Sequence, residues 1–275
     1  MRNRVSIGLD NRSVVTRLLD SSLQFLYLPM HEQGSAADKT VVYSNVDGMP
    51  DEATIAGTTT NVWDTPGRMT FTGTNYIELM KNDQRRLDWL APANGAHVIV
   101  GYHWYEQANP SGTSELHWSD TLASSSGGFG ARRQASDVTL SMRWRASGGT
   151  DGTASFKNVV TVVPVQAFDE GVTLQHWNFR DPPTSSLYIN GVVQDSDPLT
   201  GDLALLNESH ALTIGAQSSN NTPTLLCNQY GTGTTMSDFF IVVTSADIAA
   251  EVATLAAQQH YYRKRLPAML LDWIE

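Results

Sequence analysis

Residues Val172 to Val193, VTLQHWNFRDPPTSSLYINGVV, decide how this chain folds. Two runs rich in β-branched and aromatic residues flank a proline-containing interruption, which is the pattern of two strands around a turn. Proline cannot donate to a strand ladder, and a residue before proline is pushed out of the helical region, so Arg180 to Ser186 is predicted as the turn. Alternation along the strands puts Trp177 and Phe179 on one face, with Leu187 and Ile189 beside them on the next strand, and these four are predicted as the centre of a core. Asn190-Gly191 then suits a tight type I′ connection, because both residues tolerate positive φ.

The same punctuation continues outward in both directions. Val41–Val46, Met69–Leu79, His97–Tyr105, Val138–Arg145, Val159–Val165, Ala211–Gly215 and Asp238–Val243 are further short apolar runs separated by Gly, Pro, Asn, Asp and Ser clusters. Many short strands with turns between them predict an all-β, two-sheet antiparallel sandwich. Within Val138–Arg145, Leu140, Met142 and Trp144 share a core face while Arg143 and Arg145 look outward. Thr244-Ser-Ala-Asp247 opens a helix in which Ile248, Val252 and Leu255 recur at helical spacing, and Pro267 follows the basic cluster Arg263-Lys264-Arg265. The expected division is an N-terminal arm or docking segment over residues 1–30, a sandwich over 31–243, and a C-terminal helix with an apolar tail over 244–275. The arm is expected either to add an edge strand to its own domain or to dock on a neighbouring molecule.

Two sets of residues resemble a known family. Leu187, Tyr188, Asn190 and Gly191, followed by Leu212 to Gly215, resemble the recurrent "LYxNG…LxIG" core of the concanavalin A-like, laminin-G-like jelly rolls. Val46-Asp-Gly-Met-Pro50, Gly57, Trp63 and the run MTFTGTNYIEL from Met69 to Leu79 resemble the opening strands of the same family. The resemblance spans about Val41 to Gln259. It implies a jelly-roll sandwich, and members of that family bind, cover or connect surfaces more often than they catalyse.

Composition narrows the function. The 275-residue chain carries a net charge of −10, which works against binding a polyanion, so nucleic acid is not an expected partner. Cys227 is the single cysteine, which excludes an internal disulfide and suits a reducing cytoplasm. The N-terminal residues hold no apolar run of signal-peptide length, and no segment reaches the length of a membrane span, so a membrane partner is not expected either. No Glu is followed two residues later by Asp, the spacing jelly-roll glucanases use, and Glu115 and Asp120 fall on opposite faces if extended. No nucleophile elbow, zinc-protease helix or phosphate loop is present in the sequence. No catalytic residue is therefore assigned.

Ligand candidates come from aromatic residues near polar ones, because sugar rings stack on aromatic faces while amides, hydroxyls and carboxylates bind their hydroxyls. Trp118, in a Ser-rich loop beside His117 and Asp120, is the leading candidate, with Tyr105. Tyr102 and Trp104 share a parity that fits a core face. Asp195-Ser-Asp197 offers two carboxylates at a turn, where a Ca²⁺ ion would find oxygen ligands; no other cofactor is expected. The histidines read as structural or solvated: His97 and His103 lie too far apart along one strand to chelate one ion, and His117 and His176 belong to other segments.

From these features the resemblance implies a non-enzymatic structural protein of a tailed-bacteriophage virion, as head decoration or tail or fibre-associated protein, made in the host cytoplasm. Its expected partners are other virion proteins, with copies of itself in symmetric contact. The alternative is a carbohydrate-binding, lectin-like module that adsorbs to a host-surface glycan, and behind it a degenerate glycan hydrolase.

Overall fold

The computed structural model describes residues 22–30, 38–45, 49–60, 62–64, 68–72, 74–79, 96–106, 114–118, 129–134, 139–144, 157–159, 171–180, 182–199, 212–218, 225–226 and 234–258. Among them two eight-stranded antiparallel sheets face one another, as the sequence predicts for a jelly-roll sandwich. One sheet runs β14 (Val192–Pro198), β13 (Thr184–Ile189), β12 (Gly171–Asn178), β7 (His97–Glu106), β18 (Thr234–Thr244), β1 (Ser22–Leu28) and β3 (Tyr43–Ser44), with β5 (Met69–Phe71) also paired to β18. The facing sheet runs β11 (Lys157–Val159), β10 (Thr139–Trp144), β9 (Phe129–Gln134), β8 (Ser114–Trp118), β15 (Leu212–Ile214), β6 (Asn75–Leu79), β4 (Glu52–Gly57) and β2 (Lys39–Val41). A small ribbon joins β16 (Gln217–Ser218) to β17 (Leu225–Leu226).

Period-two alternation builds the core between the sheets. Val98, Val100, Tyr102, Trp177, Leu187, Phe239, Ile241 and Val243 from the first sheet meet Ala53, Ile55, Ile77, Leu79, Leu212 and Ile214 from the second in one buried cluster. Trp177, Phe179, Leu187 and Ile189 are all in it, so the four residues predicted as its centre are core residues. Trp177 and Tyr102 are among the largest fully buried side chains.

The first sheet buries its other face as well. A helix, α1, over residues 249–258 lays Ile248, Ala249, Val252 and Ala253 on Phe25, Tyr27, Ile99, Leu174, Phe240 and Val242. This cover explains why β12 and β18 are buried along nearly their whole length, and why Phe239 to Val243 is an unbroken apolar run rather than an alternating one. We therefore call this the helix-backed sheet.

Three local readings shift. The turn predicted over Arg180 to Ser186 is shorter, because Thr184, Ser185 and Ser186 already pair with β12 and β14. Asn190-Gly191 turns as predicted, with φ of 50° and 82°, and the side-chain oxygen of Asn190 accepts a hydrogen bond from the Val172 N–H at 2.9 Å. The helix opens later than Thr244. Thr244 Oγ1 accepts from the Ala246 N–H, and Asp247 Oδ1 accepts from the Ala249 N–H at 3.3 Å, so Asp247 caps it. In the segment expected as an arm, Ser22–Leu28 is strand β1, held between β18 and β3. Residues 1–21 and the tail 259–275 lie outside the described residues.

Candidate functional site: an outward sheet face and a buried histidine pair

Register fixes which residues of the facing sheet look away from the core. Ile214 pairs with Ile77, and Ile77 with Ile55, all core residues. The adjacent row must then face outward, and it reads Arg143, Gly130, Trp118, Thr213, Glu78, Thr54 and Lys39 in successive strands β10, β9, β8, β15, β6, β4 and β2. A second outward position, Glu115, pairs with Arg132. Thr54 is exposed and Tyr76 and Glu78 are half-buried, whereas Thr213 and Gly130, on either side of Trp118, are buried, and the Thr213 hydroxyl donates to the Ala216 carbonyl at 2.6 Å. Gly130 next to Trp118 adds no side chain of its own to the row.

The described members of the predicted ligand group fall on two different strands. Trp118 lies at the end of strand β8, paired on both sides, and not in a loop. His117 precedes it and pairs with Ile214 and Ala131, one register position away. Tyr105 belongs to β7 of the helix-backed sheet. Asp120 lies outside the described residues. Of the four candidates, Trp118 alone stands on this outward face among described residues. Asp195 and Asp197, expected at a turn, instead lie in edge strand β14 opposite Leu187 and Ser185, because the Asn190-Gly191 turn ends early and the strand runs on to Pro198. Arg143 takes the outward register that alternation predicts.

On the helix-backed sheet, a cluster missed by sequence reasoning lies where β7, β12 and the α1 cap converge. His97 and His176 are diagonal neighbours on one face, since His176 pairs with Ile99 and His97 with Asn178. Their rings stack at 25°, 5.2 Å between centroids, and His97 Nδ1 lies 3.0 Å from His176 Nε2. Both are buried, at 4% and 3% exposure. Asp247 Oδ1 is 3.9 Å from His176 Nε2, on a side chain 62% exposed. Burial is the main cause lowering the pKa of both rings. For His176 the nearby Asp247 opposes the shift and His97 adds to it, leaving it at about 4. For His97 the Asp247 charge opposes and Arg180 adds. Each ring is therefore neutral at pH 7.

A second polar group, farther along the same face, is structural. Asp238, buried, accepts from the Tyr27 hydroxyl at 2.5 Å and the Ser237 hydroxyl at 2.7 Å, and lies 3.3 Å from His103 Nδ1. All four residues are buried, and the Asp238 carboxylate satisfies the Tyr27 and Ser237 hydroxyls under the helix-side layer.

The sequence matches no family model and no curated protein. Solved structures match in fold. A botulinum neurotoxin type C structure, from work describing cell entry dependent on two ganglioside molecules, aligns at TM-score 0.54 and 10% identity over 89% of this chain and 52% of its own. Domain 4 of AbnA, a GH43 extracellular arabinanase from Geobacillus stearothermophilus, in complex with arabinotriose, aligns at 0.51 and 11% over 86% of this chain and 99% of its own. Trypanosoma rangeli sialidase aligns at 0.50 and 14% over 87% of this chain but 33% of its own. The chain thus spans about a third of the sialidase and half of the neurotoxin chain, and what it shares with all three is the β-sandwich fold. Enzymes and binding domains both stand among these neighbours.

Proposed function

We propose that the chain is a carbohydrate-binding module that reads a glycan on the outward face of the facing sheet. The observation that carries this reading is the register row on the side of the facing sheet away from the core, in which Trp118 stands between the buried Gly130 and Thr213 and the row opens towards half-buried Glu78 and exposed Thr54. A tryptophan on a sheet face gives a sugar ring a stacking surface, and the half-buried Glu78 and exposed Thr54 farther along the row give its hydroxyls partners. The fold neighbours support it, since one is bound to arabinotriose and another belongs to work on ganglioside interaction. The proposal is binding without catalysis, because no Glu in the sequence is followed two residues later by Asp and Glu115 and Asp120 fall on opposite faces if extended. A place on a bacteriophage particle rests on the sequence resemblance alone, and glycan adsorption is a role such a particle would use.

The test is retention of the full chain on a panel of bacterial-surface and plant polysaccharides, followed by Trp118→Ala. Retention on at least one glycan, weakened tenfold or more by Trp118→Ala with the thermal midpoint unchanged, is the expected result. No retention on any glycan, or full retention by the variant, counts against it.

A further inference from the structure

We infer that His97, His176 and Asp247 form a binding site for a borderline divalent metal ion of the Zn²⁺ type, separate from the glycan face. The three side chains offer one ligand atom each, all within 4.8 Å of one another. Ligand atoms held about 2.0–2.1 Å from a tetrahedral Zn²⁺ stand roughly 3.3 Å apart. The two imidazole nitrogens at 3.0 Å stand close to that spacing, and the Asp247 carboxylate, whose Oδ1 lies 3.9 Å from His176 Nε2, closes the rest by a rotation of an exposed side chain that shifts its cap on the Ala249 N–H. Two nitrogens and one carboxylate oxygen select Zn²⁺ and its neighbours over Ca²⁺, which takes oxygen ligands.

The backbone holds this arrangement ready. His97 opens β7 and His176 stands near the end of β12, paired strands whose register fixes the diagonal. Asp247 follows β18, the strand on the other side of β7, and is held by its cap on the helix. An ion here would tie the ends of three adjacent strands to the start of α1. Three protein ligands leave the fourth tetrahedral position for water or an added ligand.

The test uses the full chain and Co²⁺ as a spectroscopic probe, with Zn²⁺ as competitor. One Co²⁺ per chain, with the visible absorption of a tetrahedral nitrogen and oxygen site, no sulfur-to-metal band from Cys227, and displacement by Zn²⁺, is expected. Asp247→Ala, at an exposed position outside the core though it gives up the helix cap, should weaken binding at least tenfold, and His176→Gln at least a hundredfold. No stoichiometric Co²⁺ binding overturns the inference, and so does binding unchanged in Asp247→Ala, since the ion would then sit elsewhere. A folded His176→Gln chain with undiminished affinity does the same; if that variant does not fold, Asp247→Ala decides.

Discussion

A β-carbon at Gly101 would lie 2.1 Å from the Phe240 ring, which crosses the β7 backbone at the one position where no side chain stands in its way. The ring belongs to the layer under α1, so any side chain at 101 must push it out of a packed site. Gly101→Ala is expected to cost about 1–3 kcal/mol, the ordinary penalty for overpacking. Urea unfolding would read it as a lower midpoint with an unchanged slope. Because the two residues touch, Gly101→Ala combined with Phe240→Leu should cost less than the sum of the two single changes, and strict additivity would show that the strain lies elsewhere. Asn190 makes a different residue-scale case. It holds φ at 50° and its backbone N–H and side-chain oxygen both bond to Val172, so Asn190→Ala loses a side-chain hydrogen bond and the residue type best suited to that φ. A loss of about 1–2 kcal/mol is expected by the same measurement, while Asn190→Gly should recover part of it through φ alone.

At the scale of elements, α1 owes its place to apolar spacing, with Val252 at 1% exposure on the sheet and Glu251 and Thr254 exposed on the far side. A charge at 252 would have to be buried without a partner or carried away by the helix. Val252→Asp is expected to release α1, so amide exchange over 249–258 should accelerate strongly while β8 and β15 of the facing sheet keep their protection. Equal acceleration in both sheets would instead mean that helix and sandwich unfold as one unit. The same element shows what the sequence could reveal. Strands declared themselves wherever alternation or turn chemistry was local, as in β12, β13 and the Asn190-Gly191 turn. The helix declared itself through Ile248, Val252 and Leu255. What escaped was long-range. His97 and His176 are 79 positions apart and meet only because β7 pairs with β12, a fact that no local pattern contains. Trp118 was legible as a candidate but not as a strand residue, since its place follows from long-range pairing with Thr213 and Gly130. His117 was grouped with it by adjacency, although neighbouring residues of a strand point to opposite faces.

For the whole molecule, the two proposed loci lie on opposite outer faces of one sandwich. Between them stand the helix-backed sheet, the buried cluster from Trp177 to Ile77, and the facing sheet. Energetic coupling between such sites needs an element with two arrangements that both ligands bias, and a close-packed core between antiparallel sheets resists continuous deformation. Glycan affinity is therefore expected to agree within about twofold with and without saturating Zn²⁺, whereas a tenfold change would correspond to about 1.4 kcal/mol of coupling. Stability should respond differently from affinity. An ion bound only by the folded chain adds about 2.7 kcal/mol at a concentration a hundred times its dissociation constant, and a glycan at the same ratio adds a similar amount independently. Thermal unfolding with each ligand alone and with both together checks this: two independent faces give additive stabilisation. A combined shift clearly larger or smaller than the sum would mean that the ends of β7, β12 and β18 communicate with the row at Trp118 through the core.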